Sequence, residues 1–279
     1  MPRTPTGTDA RTPTDARTPT PTDARTPTHA GTDPNTDPNT DPNADIWKSA
    51  EHIDYWVATA DERERRRGHH RRLLAALLPF AEDEEFTFVD LGAGTGAAAR
   101  AILDHYSASN AILADFSPQM MEEGRRALAA YGGRYTYVEI DLAAGRWPEA
   151  IPHDAAAIVS SLCVHHLPDE GKQALFRGII EHLAPAAWYF NYDPVTTDDP
   201  VIEEAWQRAG DRLDPEAAAK RASRTPEEQR RYENHVRHMS PLDLQLGFLR
   251  AAGFEAVDVY WKELDHVIYG GRRPEPRGS

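Results

Sequence analysis

Short apolar strands alternate with helical segments over residues 86–272, which predicts an α/β protein. The expected core is a doubly wound, mostly parallel seven-stranded sheet with an antiparallel last strand and a helical insertion. Three observations carry this. Residues 86–91 are apolar and β-branched, break into glycines at 92, 94 and 96, and run into an alanine-rich helical segment. Similar strand–helix units then repeat. Finally, residues 254–263 and 265–269 read as two strands joined so tightly that they must pair antiparallel.

Residues 1–44 stand apart. Thr-Asp-Ala-Arg-Thr-Pro-Thr begins at Thr8, Thr14 and Thr22, and Thr-Asp-Pro-Asn at Thr32, Thr36 and Thr40. Such a segment has almost nothing apolar to bury against a backbone entropy cost of about 1–2 kcal/mol per residue, so it is expected to be a disordered tail. Residues 45–80 read as two N-terminal helices. The first spans 46–60, with Ile46, Ala50, Ile53 and Val57 on one face. The second spans 61–78 and stops before Pro79. Its middle, 63–72, is rich in arginine and carries His69 and His70. A solvated face is the ordinary reading, and an anion site for a carboxylate or phosphate is the sharper one.

Within the core (81–279), strands are expected at 86–91, 111–114, 135–140, 155–160 and 187–192. Ser117-Pro118 opens the helix after the second strand, with serine as cap and proline at the first position. Residues 195–239 interrupt the rhythm with polar, helical sequence and read as an inserted substrate lid. Ser240-Pro241-Leu242-Asp243 restarts the core, and its helix ends at Gly253.

Composition bounds the function. The 31 Lys+Arg against 45 Asp+Glu give a formal net charge of −14, which argues against an extended nucleic-acid footprint. The start lacks a cationic stretch followed by an apolar core, and no run approaches the length of a membrane span. The single Cys163 suits a reducing compartment. A cytoplasmic protein, monomer or homodimer, is the expectation.

The glycine turn alone leaves the cofactor open, because Gly92-Ala93-Gly94-Thr95-Gly96-Ala97 also satisfies the loose dinucleotide fingerprint. The acids narrow it. Ligands of a doubly wound sheet bind at the carboxyl ends of its strands. Asp90, Asp115 and Asp141 fall at three such ends. A pyrophosphate sits poorly beside that many carboxylates. A cofactor with a sulfonium, an ammonium and an adenine amino group, and no phosphate, fits them better.

Val89-Asp90-Leu91-Gly92-Ala93-Gly94-Thr95-Gly96 resembles motif I of the class I S-adenosylmethionine-dependent methyltransferases, whose fold is Rossmann-like. The resemblance continues through 113–121, 140–142 and 158–167, and covers 86 to about 272. It implies S-adenosyl-L-methionine as cofactor and S-adenosyl-L-homocysteine as product. By position, Gly92, Ala93, Gly94 and Gly96 would line the methionine moiety. Asp115 would bind the ribose, with Phe116, Ser117 and Met120 near the adenine. Asp141 and Leu142 would flank the adenine amino group, and Ser160, Ser161 and Leu162 would pass beneath the sulfonium.

The methyl acceptor is expected to be a small molecule. Ser160-Ser161-Leu162-Cys163 lacks the Asn/Asp-Pro-Pro-aromatic element that grips a flipped base. No Asp follows the fourth strand to join a metal site, so no metal is expected. His165 and His166 fall at the methyl-transfer end and are the candidate bases. Adjacent residues are expected to face apart, so only one should enter the pocket. Tyr55 and Trp56, Tyr192 and Asp193, Arg237 and His238, and Trp261 and Lys262 are the candidate acceptor walls. Other readings of the whole chain are a modifying enzyme of the tRNA wobble-uridine type, a nicotinamide oxidoreductase, and a non-catalytic S-adenosylmethionine-binding partner.

Overall fold

The computed structural model describes Trp47 and residues 49–276. The tail expected over 1–44 lies outside the described residues. The elements in order are α1 (Ala50–Ala58), α2 (Ala60–Ala76), β1 (Thr87–Leu91), α3 (Ala97–His105), β2 (Asn110–Asp115), α4 (Pro118–Ala127), β3 (Tyr135–Glu139), β4 (Ala155–Ser161), α5 (Asp169–His182), β5 (Leu183–Pro194), α6 (Pro200–Leu213), α7 (Pro215–Ala222), α8 (Pro226–Val236), α9 (Leu242–Ala252), β6 (Glu255–Glu263) and β7 (His266–Arg272).

The seven strands form one sheet in the order β3-β2-β1-β4-β5-β7-β6. β1 pairs in parallel with both β2 and β4, and β4 in parallel with β5. β7 lies antiparallel between β5 and β6. Sequence order therefore reverses at β1, and a crevice opens beyond the carboxyl ends of β1 and β4, where such sheets bind ligands.

Alternation along the strands builds two cores. Val89, Leu91 and Ile158 face Leu175, Phe176 and Ile179 of α5 and Leu246 and Leu249 of α9. Phe88, Ala157 and Val159 face Leu74 of α2 and Ile102 and Leu103 of α3. Strands buried on both faces need apolar residues at successive positions, which is why β1 and β4 read as runs rather than alternations. Each fully buried aliphatic or Phe side chain contributes about 1.5–3 kcal/mol.

Two boundaries differ from expectation. β5 begins at Leu183 rather than 187, because Leu183 already pairs with Ala155 before an irregularity in the ladder. There Ala186 sits at φ 64°, and its N–H donates to the Arg273 carbonyl. The first helix ends at Ala58, where the Thr59 hydroxyl donates to the Tyr55 carbonyl at 2.8 Å. The insertion after β5 is helical as expected, and consists of α6, α7 and α8. Asp199 caps α6 by accepting from the Val201 amide at 2.9 Å. Among the described residues no helix is long and apolar enough to cross a membrane.

Candidate active site

The loop after β1 is held from three sides. The Gly92 and Ala93 amides donate to the Ala114 carbonyl at 2.8 and 3.1 Å. The Gly94 amide donates to Asp115 Oδ2 at 2.7 Å, and the Tyr137 hydroxyl of β3 donates to the Gly94 carbonyl at 2.9 Å. Gly92 is required twice over. Its φ is +66°, and a Cβ there would lie 2.1 Å from the Cys163 sulfur.

The acids sit at strand ends as expected, in different surroundings. Asp90 is buried and accepts from the Ala99 amide at 3.1 Å, placing a carboxylate at the N-terminus of α3. Burial pushes its pKa up to about 7, against the opposing Ala99 hydrogen bond. Burial also raises Asp115, while amide donors led by Ser117 and Gly94 pull it back. Asp141 is exposed and accepts from the Ala143 amide at 2.9 Å, starting a short 3₁₀ turn through Leu142.

At the other end of the crevice, β4 leads through Leu162, held at φ 59°, into a 3₁₀ turn over Val164–His166. His165 is buried there. Its Nδ1 lies 2.6 Å from Asp193 Oδ1, and its amide donates to Asp193 Oδ2 at 2.8 Å. Asp193 is itself fully buried at the end of β5. The Asn191 amide group reaches Asp193 Oδ2 at 3.3 Å and the Tyr269 oxygen at 2.9 Å; the Tyr269 hydroxyl donates to Gln245 Oε1 at 2.6 Å. A chain of buried hydrogen bonds thus runs from α9 through β7 and β5 to one imidazole.

His235, on α8 of the insertion, approaches from above. Its ring lies 5.0 Å from those of both His165 and His166, which are 4.1 Å from each other. Burial, followed by the neighbouring His165, lowers His235 to about 4 and holds His166 well below the usual imidazole range. The Trp47 ring stands edge-on to His166 at 6.1 Å and to Trp56 at 5.0 Å.

All of this opens into one cavity of about 1090 Å³. That is at the upper end for a single ligand site, and suits a cofactor with a second molecule. Of the expected cofactor residues, Asp90, Gly92, Ala93, Gly94, Gly96, Asp115, Phe116, Met120, Asp141, Leu142, Ser161 and Leu162 line it. Two others hold structure instead. Ser117 caps α4 and donates to the Trp47 carbonyl at 2.6 Å, and Ser160 donates to the Leu91 carbonyl at 2.9 Å, tying β4 to β1.

His165 and His166 both line the cavity, which corrects the expectation that adjacent residues must face apart. They lie on a 3₁₀ turn, where successive side chains diverge by about 120° rather than the 180° of a strand. Among the expected wall residues only Trp56 lines the cavity. Tyr55 points to solvent. Tyr192 is packed under α2, its hydroxyl 3.1 Å from His70 Nδ1, while its neighbour Asp193 faces the other way behind His165. Arg237 bonds Asn234 on the surface, and the His238 carbonyl accepts from Lys172. Trp261 packs on His70 at 4.2 Å, and the Lys262 ammonium lies 3.8 Å over Trp206.

The arginine-rich stretch of α2 divides between surface and cavity. Arg63 stacks on Trp56 at 3.7 Å, and Arg71 pairs with Glu64 at 3.0 Å. Arg67 lines the cavity and, unlike Arg66, Arg71 and Arg72, has no carboxylate within ion-pair distance among the described residues. Burial lowers its pKa, against a raising effect from Tyr192. Sequence reasoning missed His235, Arg67 and Tyr137 as individuals. The arginine run pointed towards Arg67, whereas nothing local marked the other two.

A parallel sheet that reverses order at β1, an antiparallel β7, a glycine loop and acids at three strand ends together define the class I S-adenosylmethionine-dependent methyltransferase fold. Residues 88–186 match the family model described as "Methyltransferase domain". The matched stretch runs from β1 into β5 and includes the glycine loop, Asp90, Asp115 and Asp141. Solved structures share the fold. An O-methyltransferase family protein from Burkholderia thailandensis superposes with TM-score 0.62 at 17% identity over 84% of this chain and 64% of its own. PigF with SAH gives 0.57 at 15% over 81% and 60%. Human N-acetylserotonin methyltransferase in complex with SAM gives 0.56 at 15% over 82% and 58%. The chain thus spans less than two thirds of these proteins' lengths. Among curated proteins none matches it.

Proposed function

We propose that this protein transfers a methyl group from S-adenosylmethionine to an oxygen of a small acidic molecule, and releases S-adenosylhomocysteine. The observation that carries this reading is the single cavity. It has the glycine loop, Asp115 and Asp141 at one end and His165, His166, His235 and Arg67 at the other.

Methyl transfer from a sulfonium is an in-line displacement. Alignment is the enzyme's main contribution, worth an effective molarity of about 10⁵ M or more. Asp115 holds the ribose, the glycine loop lines the methionine portion, and Asp141 and Leu142 take the adenine. Helices α6, α7 and α8 form the lid that selects the acceptor. Arg67 supplies a cation for the acceptor's acidic group. An oxygen acceptor must lose its proton, and the cluster of His165, His166 and His235 stands at the end of the cavity where that happens. The Nδ1 proton of His165 is committed to Asp193, which leaves the lone pair on Nε2. The likeness to an O-methyltransferase family protein and to N-acetylserotonin methyltransferase supports a small-molecule acceptor. An acceptor from specialised metabolism fits this reading, as does a cytoplasmic location for a chain whose only cysteine is Cys163.

Calorimetry with three ligands tests the cofactor end. S-adenosylmethionine and S-adenosylhomocysteine should each bind one site per chain, and NAD should not. Binding of NAD with neither sulfur ligand would overturn the reading.

A further inference from the structure

We propose that His165, His166 and His235 bind one divalent transition-metal ion of the zinc type, with an open coordination position facing the acceptor. One nitrogen from each imidazole lies within 4.8 Å of the other two. In a zinc site with nitrogens at about 2.0–2.1 Å, neighbouring ligand atoms stand about 3.3 Å apart, so the three need to close by no more than about 1.5 Å. His235 is carried on the insertion, and side-chain rotation together with a small movement of α8 achieves this.

The second observation is independent of proximity. Among the described side chains, His165 Nε2 is buried with no hydrogen-bond partner. Its Nδ1 is held by Asp193, whose two oxygens are engaged by the ring, the His165 amide and Asn191. A carboxylate behind one imidazole nitrogen fixes the tautomer and presents the other as a lone pair. That is the arrangement found behind metal-bound histidines. A buried lone pair left without a donor is unfavourable, and a metal ion removes that penalty. Three imidazoles with no thiolate suit Zn²⁺, Ni²⁺, Cu²⁺ or Fe²⁺, and three protein ligands leave a position for substrate.

The proposal rests on reading the chamber as the acceptor site. The acceptor hydroxyl oxygen takes the open position and its proton leaves to water. That oxygen then forms the new O–CH₃ bond as the S–CH₃ bond breaks, and the electron pair of the broken bond stays on sulfur. The Nε2 lone pair goes to the ion, so activation runs through the metal and His165 itself takes no proton.

The test uses the untagged full chain, stripped with a chelator and titrated with Zn²⁺ by calorimetry. One equivalent should bind per chain. His235→Gln should lose that isotherm, and His153→Gln, whose ring stacks on His182 at 4.2 Å, should keep it. Asp193→Asn should weaken it by about 10–100-fold, the usual effect of removing such a carboxylate. No saturable binding by the wild type, or equal binding by His235→Gln, overturns the site. If His235→Gln fails to fold, X-ray absorption of the zinc-loaded wild type decides: three imidazole nitrogens support the site and fewer overturn it. Methyl transfer separates the two claims. Zinc binding without any transfer leaves the site standing and removes the proposed function. Transfer unchanged after stripping leaves the function standing and removes the metal from it.

Discussion

Nδ1 of His165 lies 2.6 Å from Oδ1 of Asp193, and both side chains are shut off from solvent. The pair joins the end of β5 to the turn after β4, so the two central strands fix the orientation of one imidazole. Asp193 does not reach the chamber; it acts through His165.

Asp193→Asn keeps the volume but offers an N–H where Nδ1–H needs an acceptor. The methyl-transfer rate should fall by about 10²-fold or more, the lower end of what an activating group contributes. Cofactor affinity should be unchanged, because the glycine loop is held elsewhere. Loss of S-adenosylmethionine binding in parallel with the rate would assign Asp193 a purely structural role.

Arg67 lines the cavity from α2 with no carboxylate within ion-pair distance among the described residues, whereas Arg63, which also lines it, is spent on Thr59 and Trp56. Arg67→Gln should raise the acceptor KM by about 10–100-fold, the scale of losing a hydrogen bond to a charged group. Cofactor affinity should stay the same. Steady-state kinetics with a carboxylate acceptor and its amide counterpart provides the check: the variant should lose the preference for the acid.

Asp90 makes stability pH-dependent. Its folded pKa, about 7, stands above the ordinary 3.8 because the carboxyl is buried. A raised acid contributes stability that is fully present below 3.8 and lost as pH rises through 7. Wild-type stability should therefore decline relative to Asp90→Asn by roughly 1 kcal/mol per pH unit across this window. Urea unfolding of both proteins from pH 4 to pH 8 measures it. Parallel curves would contradict the assignment.

Ala186 occupies a left-handed backbone position, φ 64°, at the irregular start of β5. Left-handed geometry costs a residue with a Cβ about 1–2 kcal/mol, and glycine returns about 0.5–1 kcal/mol of that as unfolded-state entropy. Ala186→Gly should stabilise the fold by a few tenths to about 1 kcal/mol. A lower thermal midpoint for the variant would refute this.

The parts of the site legible in the sequence were those built by contiguous residues. Gly92, Gly94, Gly96, Asp90, Asp115 and Asp141 sit at strand ends, and strand ends are readable from periodicity and turn residues. Tyr192 and Asp193 show where such reading stops. As neighbours on a strand they face opposite sides of the sheet, and only the packing of α2 on one face and the turn of His165 on the other decides their roles. His235 comes from an insertion whose helices have exposed, charged sequence and no local mark of a site. Tyr137 grips the Gly94 carbonyl from β3 through a register that no short motif records.

The central claim is methyl transfer to a small acidic acceptor. The most direct test incubates the protein with methyl-labelled S-adenosylmethionine and a cell extract, then separates small molecules, RNA and protein. Label should enter low-mass anionic compounds and be absent when the His165→Ala, Asp193→Ala double variant replaces the wild type. Label confined to RNA, or no transfer while S-adenosylmethionine still binds, would contradict the account.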